Sequence, residues 1–133
     1  MLTDRLREEM TRPPFNEWLG PVAIEADEVE KRIAVELPFR PEFSHQTGAT
    51  VFHGGVIAAL ADITGHAAVA VFHGAVTPTI SLSTEFLAPA IGDRLRAVGR
   101  LRKKGRTIAR ADVDLFVGDR LVALARGTFS TKG

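Results

Sequence analysis

The 133-residue chain is 45% hydrophobic and 25% charged, with 17 Lys and Arg against 16 Asp and Glu for a net charge of +1. This composition describes one folded domain over residues 1–133, excludes a disordered or fibrous chain, and argues against nucleic-acid binding by blanket phosphate neutralisation. The chain contains no cysteine, which removes disulfides, zinc–thiolate sites, iron–sulfur clusters and thiol nucleophiles and fits a cytoplasmic setting.

The opening MLTDRLREEM mixes charges of both signs with apolar residues, unlike a secretory signal. Leu2 to Met10 read as a short amphipathic helix stopped by Pro13-Pro14, so residues 1–20 form an N-terminal helical arm. Val22 to Glu28 and Lys31 to Leu37 alternate in the manner of strands and suggest a hairpin. Pro38 to Thr50 read as a loop. From Gly54 to about His73 the chain is apolar on nearly every face of a helix, the mark of a buried helix. Asp62, His66, His73 and the glycines at 65 and 74 make the same stretch a poor membrane span.

After Pro78 the period changes to two, with Ile80, Leu82, Thr84 and Phe86 on one side and Thr79, Ser81, Ser83 and Glu85 on the other. Asp93–Lys103, Arg106–Phe116 and Arg120–Phe129 follow as further strands, separated by turns at Lys104-Gly105 and Val117-Gly118-Asp119. The expected fold is α+β: two strands, one buried helix and a four-stranded meander, with a curved sheet lying against the helix. Such a sheet covers only one face of the helix, so the remaining apolar positions favour a dimer.

Phe52-His53-Gly54-Gly55 sits where a loop meets the buried helix, at the positive end of the helix dipole, with free N–H groups and no Cβ in the path of a ligand. His53 reads either as a residue orienting that loop or as a contact to substrate. Asp62 is the strongest single clue, because a carboxylate in an apolar helix carries a desolvation cost unless it is paired or used. Its simplest partner is His66, one turn on. His66 and His73 lack a third ligand at metal spacing, so neither a metal nor a cofactor is implied.

The string HGGVIAALAD resembles the His-Gly-Gly motif, with an Asp eight residues after its first Gly, of hotdog-fold acyl-CoA thioesterases of the phenylacetic-acid-degradation type. TPTISLSTEFLAPAIGD and LRKKGRTIARADVDLF continue the similarity, which runs from about Pro14 to Phe129. The resemblance implies a hotdog fold, a curved antiparallel sheet wrapped around a long central helix, and hydrolysis of a coenzyme A thioester. By motif position, Asp62 activates water or attacks directly, the Gly54 amide polarises the carbonyl, and Thr79 helps hold the water. The family often has Asn or Gln six residues before the motif His, where this chain has Thr47 with Gln46 beside it.

Eight helical residues separate Gly54 from Asp62 by about 12 Å, too far for one thioester to touch both in one chain. Two antiparallel helices resolve this, and the resemblance implies the same: a homodimer with shared sites, paired into a dimer of dimers. The reading is therefore a cytoplasmic enzyme that hydrolyses an aryl- or medium-chain acyl-CoA. Its rivals are an acyl-CoA-binding sensor and a dehydratase or hydratase on the same fold. Substrate contacts are assigned to Gln46, Thr47, His53 and Gly55, and the coenzyme A phosphates to Lys103, Lys104 and Arg106 at the basic hairpin. No nucleic-acid or membrane partner is expected.

Overall fold

In the computed structural model, which describes residues 1–75 and 77–132, the chain opens with two helices rather than one. α1 (Leu2–Thr11) is followed by α2 (Pro14–Leu19), with Pro14 in the first turn. There its missing N–H costs nothing and its fixed φ is already helical, so the proline pair starts a helix as well as ending one. Leu6, Met10 and Leu19 are buried and fasten this arm to the body.

Beyond the arm come β1 (Val22–Asp27), β2 (Arg32–Pro38), a short 3-10 turn at Pro41–Phe43, α3 (Gly54–His73), β3 (Thr79–Phe86), β4 (Arg94–Lys104), β5 (Ile108–Val117) and β6 (Arg120–Ser130). The six strands form one antiparallel sheet in the order β1-β2-β4-β5-β6-β3. The hairpin of β1 and β2 and the buried helix agree with the sequence reading. The four-stranded meander does not: only β4, β5 and β6 are consecutive neighbours, and β3 lies beyond β6 as an edge. The reason lies in burial. Leu95, Ala97 and Val98 of β4 are buried, as a strand paired on both sides requires, whereas Ile80, Ser81, Ser83, Glu85 and Phe86 of β3 are exposed.

α3 packs across the inner face of the sheet, and two glycines set how closely. A Cβ on Gly99 would lie 3.0 Å from Thr64 Cγ2 and 3.1 Å from the Thr64 carbonyl oxygen, and one on Gly65 would lie 2.9 Å from the Phe129 ring. Their absence lets the β4 backbone approach the helix backbone at Thr64 and lets the Phe129 ring pack onto the helix at Gly65. Leu60, Ala67, Val69, Val113 and Phe129 are then almost wholly buried, each large side chain contributing about 1.5–3 kcal/mol. α3 is long and apolar enough to cross a membrane, but most of it is buried inside the fold, which makes it the core helix. Gly55, Ala58, Ala59 and Asp62 remain partly open to solvent.

Candidate active site

His53 caps α3: its Nδ1 accepts the Gly55 N–H at 2.8 Å, which leaves the ring proton on Nε2. A Cβ on Gly55 would stand 3.0 Å from that Nδ1, so the second glycine of the motif makes room for the cap. The Gly55 N–H and His53 Nδ1 therefore satisfy each other, and the capping bond gives His53 a loop-orienting role beside any contact it makes to substrate. The donor left over is Gly54, whose N–H has no hydrogen-bond partner among the described residues. It opens onto a cavity of about 430 Å³ lined by His45, Phe52, Ile57, Phe86 and Leu87 among others.

Asp62 is half-buried rather than enclosed, so within one chain the full desolvation suggested by its apolar helix is not met. Its Oδ1 accepts a hydrogen bond from Thr79 Oγ1 at 2.7 Å. Strict alternation would turn Thr79 outward with Ser81. Instead the register slips between them: Thr79 pairs with Phe129 while Ser81 pairs with Thr128, leaving Ile80 as the extra residue of a β-bulge. A bulge turns two successive side chains to the same face, and here it brings Thr79 in beneath the helix. His66 is not the partner of Asp62; its Nδ1 lies 3.1 Å from Glu9 Oε1 on α1.

The loop before α3 is drawn tight by Ser44, whose Oγ lies 2.6 Å from the carbonyl oxygens of both Gln46 and Ala49. Gln46 and Thr47 are exposed and do not line the cavity beside Gly54; His45 does. The sequence carries no signal for this, because an irregular loop has no period from which to read the direction of a side chain.

The outer face of the sheet is a lattice of matched charges. Arg32 meets Glu25 and Asp27, Arg94 meets Glu36, and Arg100 meets Asp114. Asp112 lies 2.7 Å from Arg126 and 2.8 Å from Arg102. The Arg126 hydrogen bond and then that of Arg102 hold the Asp112 carboxyl below its ordinary range, against partial desolvation. By contrast Lys103, Lys104, Arg106 and Arg110 have no carboxylate partner among the described residues. Lys103, Arg106 and Arg110 line a cleft of about 420 Å³ at the β4–β5 turn, and Lys104 does not. Thr131 ties this turn to the end of β6, its N–H donating to Thr107 O at 2.8 Å. Since Thr79 pairs with Phe129 of the same strand end, the cations and Asp62 share one end of the sheet.

A long helix against a curved antiparallel sheet, with a hydroxyl-bound carboxylate on the helix and a free amide at its N-terminus, is the hotdog architecture of a thioester hydrolase. Residues 49–124, which contain Gly54, Asp62, Thr79 and the basic hairpin, match the thioesterase superfamily. The chain is 30% identical over 135 residues to mouse acyl-coenzyme A thioesterase 13, covering 96% of this chain and 94% of that one. A phenylacetic acid degradation-related protein of Ralstonia eutropha has a similar structure, with a TM-score of 0.82, 26% identity and coverage of 97% and 98%. The E. coli PaaI protein from the phenylacetic acid degradation operon shares the fold, with a TM-score of 0.82 at 23% identity over 100% of this chain and 97% of that one. The chain belongs to the thioesterase superfamily and is a hotdog-fold thioester hydrolase.

Proposed function

We infer that the enzyme cleaves the thioester of an aryl- or medium-chain acyl-CoA in a cytoplasmic setting, at sites shared between the two protomers of a homodimer that itself pairs into a tetramer. The hydrogen bond from Thr79 to Asp62 carries this reading. It holds one carboxylate oxygen in place and leaves the other free to take a proton from water or to attack. In the water route, the water oxygen forms the new C–O bond, the C–S bond breaks, and the proton taken by Asp62 passes to the departing sulfur. The Gly54 N–H stabilises the charge that develops on the carbonyl oxygen.

The free edge of β3 supports sharing. Its first residue, Thr79, holds Asp62, and the ring of its last, Phe86, comes 3.5 Å from the position of a Cβ on Gly54. Two such strands paired antiparallel about a two-fold axis bring the Asp62 end of one chain beside the Gly54 end of the other. Ile80, Phe86 and Leu87, exposed in the single chain, are covered by that pairing.

Lys103, Arg106 and Arg110 then face the pyrophosphate and 3′-phosphate of coenzyme A at the mouth of the site. Arg110 takes the place that the sequence reading gave to Lys104. The test is a panel of acyl-CoA substrates with detection of free thiol, run on the parent and on Asp62→Asn. Release by the parent and loss in the variant are expected. A panel on which the parent is silent, or on which the variant matches it, overturns the reading.

A further inference from the structure

We propose that Arg40 is a positioning residue: it fastens the N-terminal arm to the loop that leads into α3 and so holds the Gly54 N–H where the thioester carbonyl arrives. The proposal rests on the reading of Gly54 as the carbonyl donor given above and names what keeps that donor in place. Between the end of β2 at Pro38 and the start of α3 at Gly54, the only helical turn is Pro41–Phe43. An irregular loop is ordinarily the more mobile part of a fold, whereas stabilisation of a developing oxyanion depends on a donor already in position. A tie from outside the loop meets that need.

Arg40 supplies it. The guanidinium carbon lies 4.5 Å from the ring centroid of Trp18 on α2 and 4.2 Å from that of Phe43, in the corner between two rings inclined at 76°. Arg40 is half-buried and has no carboxylate partner among the described residues. Its side chain is therefore held by ring faces, to which a planar guanidinium is better suited than an ammonium. From there the contacts run inward. Phe43 is buried; its N–H donates to Arg40 O at 2.8 Å, and its carbonyl oxygen accepts the His53 N–H at 2.8 Å. The His53 carbonyl, which belongs to the same peptide group as the Gly54 N–H, accepts from the N–H groups of Val56 at 3.0 Å and Ile57 at 3.1 Å. That peptide group is thus held by α3 on one side and by Phe43 on the other, and Arg40 with Trp18 anchors Phe43 to the arm.

The experiment measures kcat and KM for an acyl-CoA that the parent hydrolyses, at a temperature where every variant is folded, together with amide hydrogen exchange. Arg40→Leu and Trp18→Ala are each expected to lower kcat about ten-fold with KM nearly unchanged. The double variant falls no further than either single one, because both remove the same tie. Trp18→Phe, which keeps a ring face, retains most of kcat, and Arg40→Lys recovers only part of it. In Arg40→Leu the amides of residues 44–53 exchange faster, while those of β4, β5 and β6 are unmoved. A parental kcat in Arg40→Leu, a double variant showing the product of the two single losses, or unmoved exchange over 44–53 overturns the positioning role and leaves the acyl-CoA reading standing. A parent silent on every substrate, or Gly54→Pro at the parental rate, removes instead the reading on which the proposal rests, and the proposal with it.

Discussion

Asp62 and Thr79 are expected to behave as one unit, because the 2.7 Å hydrogen bond between them is the contact that fixes the carboxylate. Asp62→Asn preserves shape but cannot accept a proton or attack, so kcat is expected to fall by about 10²–10⁴ with the fold retained by circular dichroism. Thr79→Val removes a hydrogen bond to a charged group at a partly open site and is expected to cost about ten-fold in kcat, with Thr79→Ser close to the parent. Steady-state kinetics on the three variants checks both; Thr79→Val at parental rate contradicts the pairing. His53 belongs to a different category of effect. Its loss in His53→Ala removes a helix cap worth about 1 kcal/mol, read as a lower denaturation midpoint, and an unchanged midpoint contradicts the capping role. The motif of His53, Gly54 and Asp62 was legible in the sequence because helical spacing is rigid. The inward turn of Thr79 and the placement of His45 were not: a one-residue bulge and an irregular loop each break the period by which facing is read.

At the scale of elements, the outer face of β4, β5 and β6 is held partly by Asp112 between Arg126 and Arg102. The folded state holds the Asp112 carboxyl below its ordinary value, with the Arg126 hydrogen bond as the largest cause. Its stabilisation is therefore fully present above the unfolded value of about 3.9 and is lost as pH falls through the lower folded value. Chemical denaturation of the parent and Asp112→Asn should show a gap at pH 7 that narrows below about pH 4; a gap independent of pH contradicts this origin. The β4–β5 turn differs from that face, since Lys103, Arg106 and Arg110 have no carboxylate partner among the described residues. Neutralising Lys103, Arg106 and Arg110 is expected to raise KM for acyl-CoA, leave kcat nearly unchanged and weaken the salt dependence of kcat/KM. A short thioester without the nucleotide should be indifferent, and equal losses on both substrates would contradict a phosphate-binding role. Strand periods and the turn at Gly105 foretold this hairpin. The neighbours of β3 were not foretold, since sequence order suggests adjacency and only burial on both flanks reveals that β4 is central and β3 an edge.

For the whole molecule, the decisive fact is a separation. Gly54 and Asp62 lie eight residues apart on one continuous helix, α3, about 12 Å along its axis. The shared site proposed above brings one carbonyl within reach of both, through an antiparallel pairing of two β3 edges that joins opposite ends of two chains. The most direct test uses two variants that each remove one half of the site. Gly54→Pro deletes the proposed amide donor at the first helical position, where proline is well tolerated. The preceding His53 already has the extended ψ of 142° that a following proline requires. Asp62→Asn deletes the proposed base or nucleophile. Each homodimer should be inactive, and a heterodimer carries one site with both halves intact and one with neither. Equal mixing with random reassociation is expected to restore roughly a quarter of parental activity per chain. Verified heterodimers that remain as inactive as either variant alone would contradict the shared site and return both groups to a single chain.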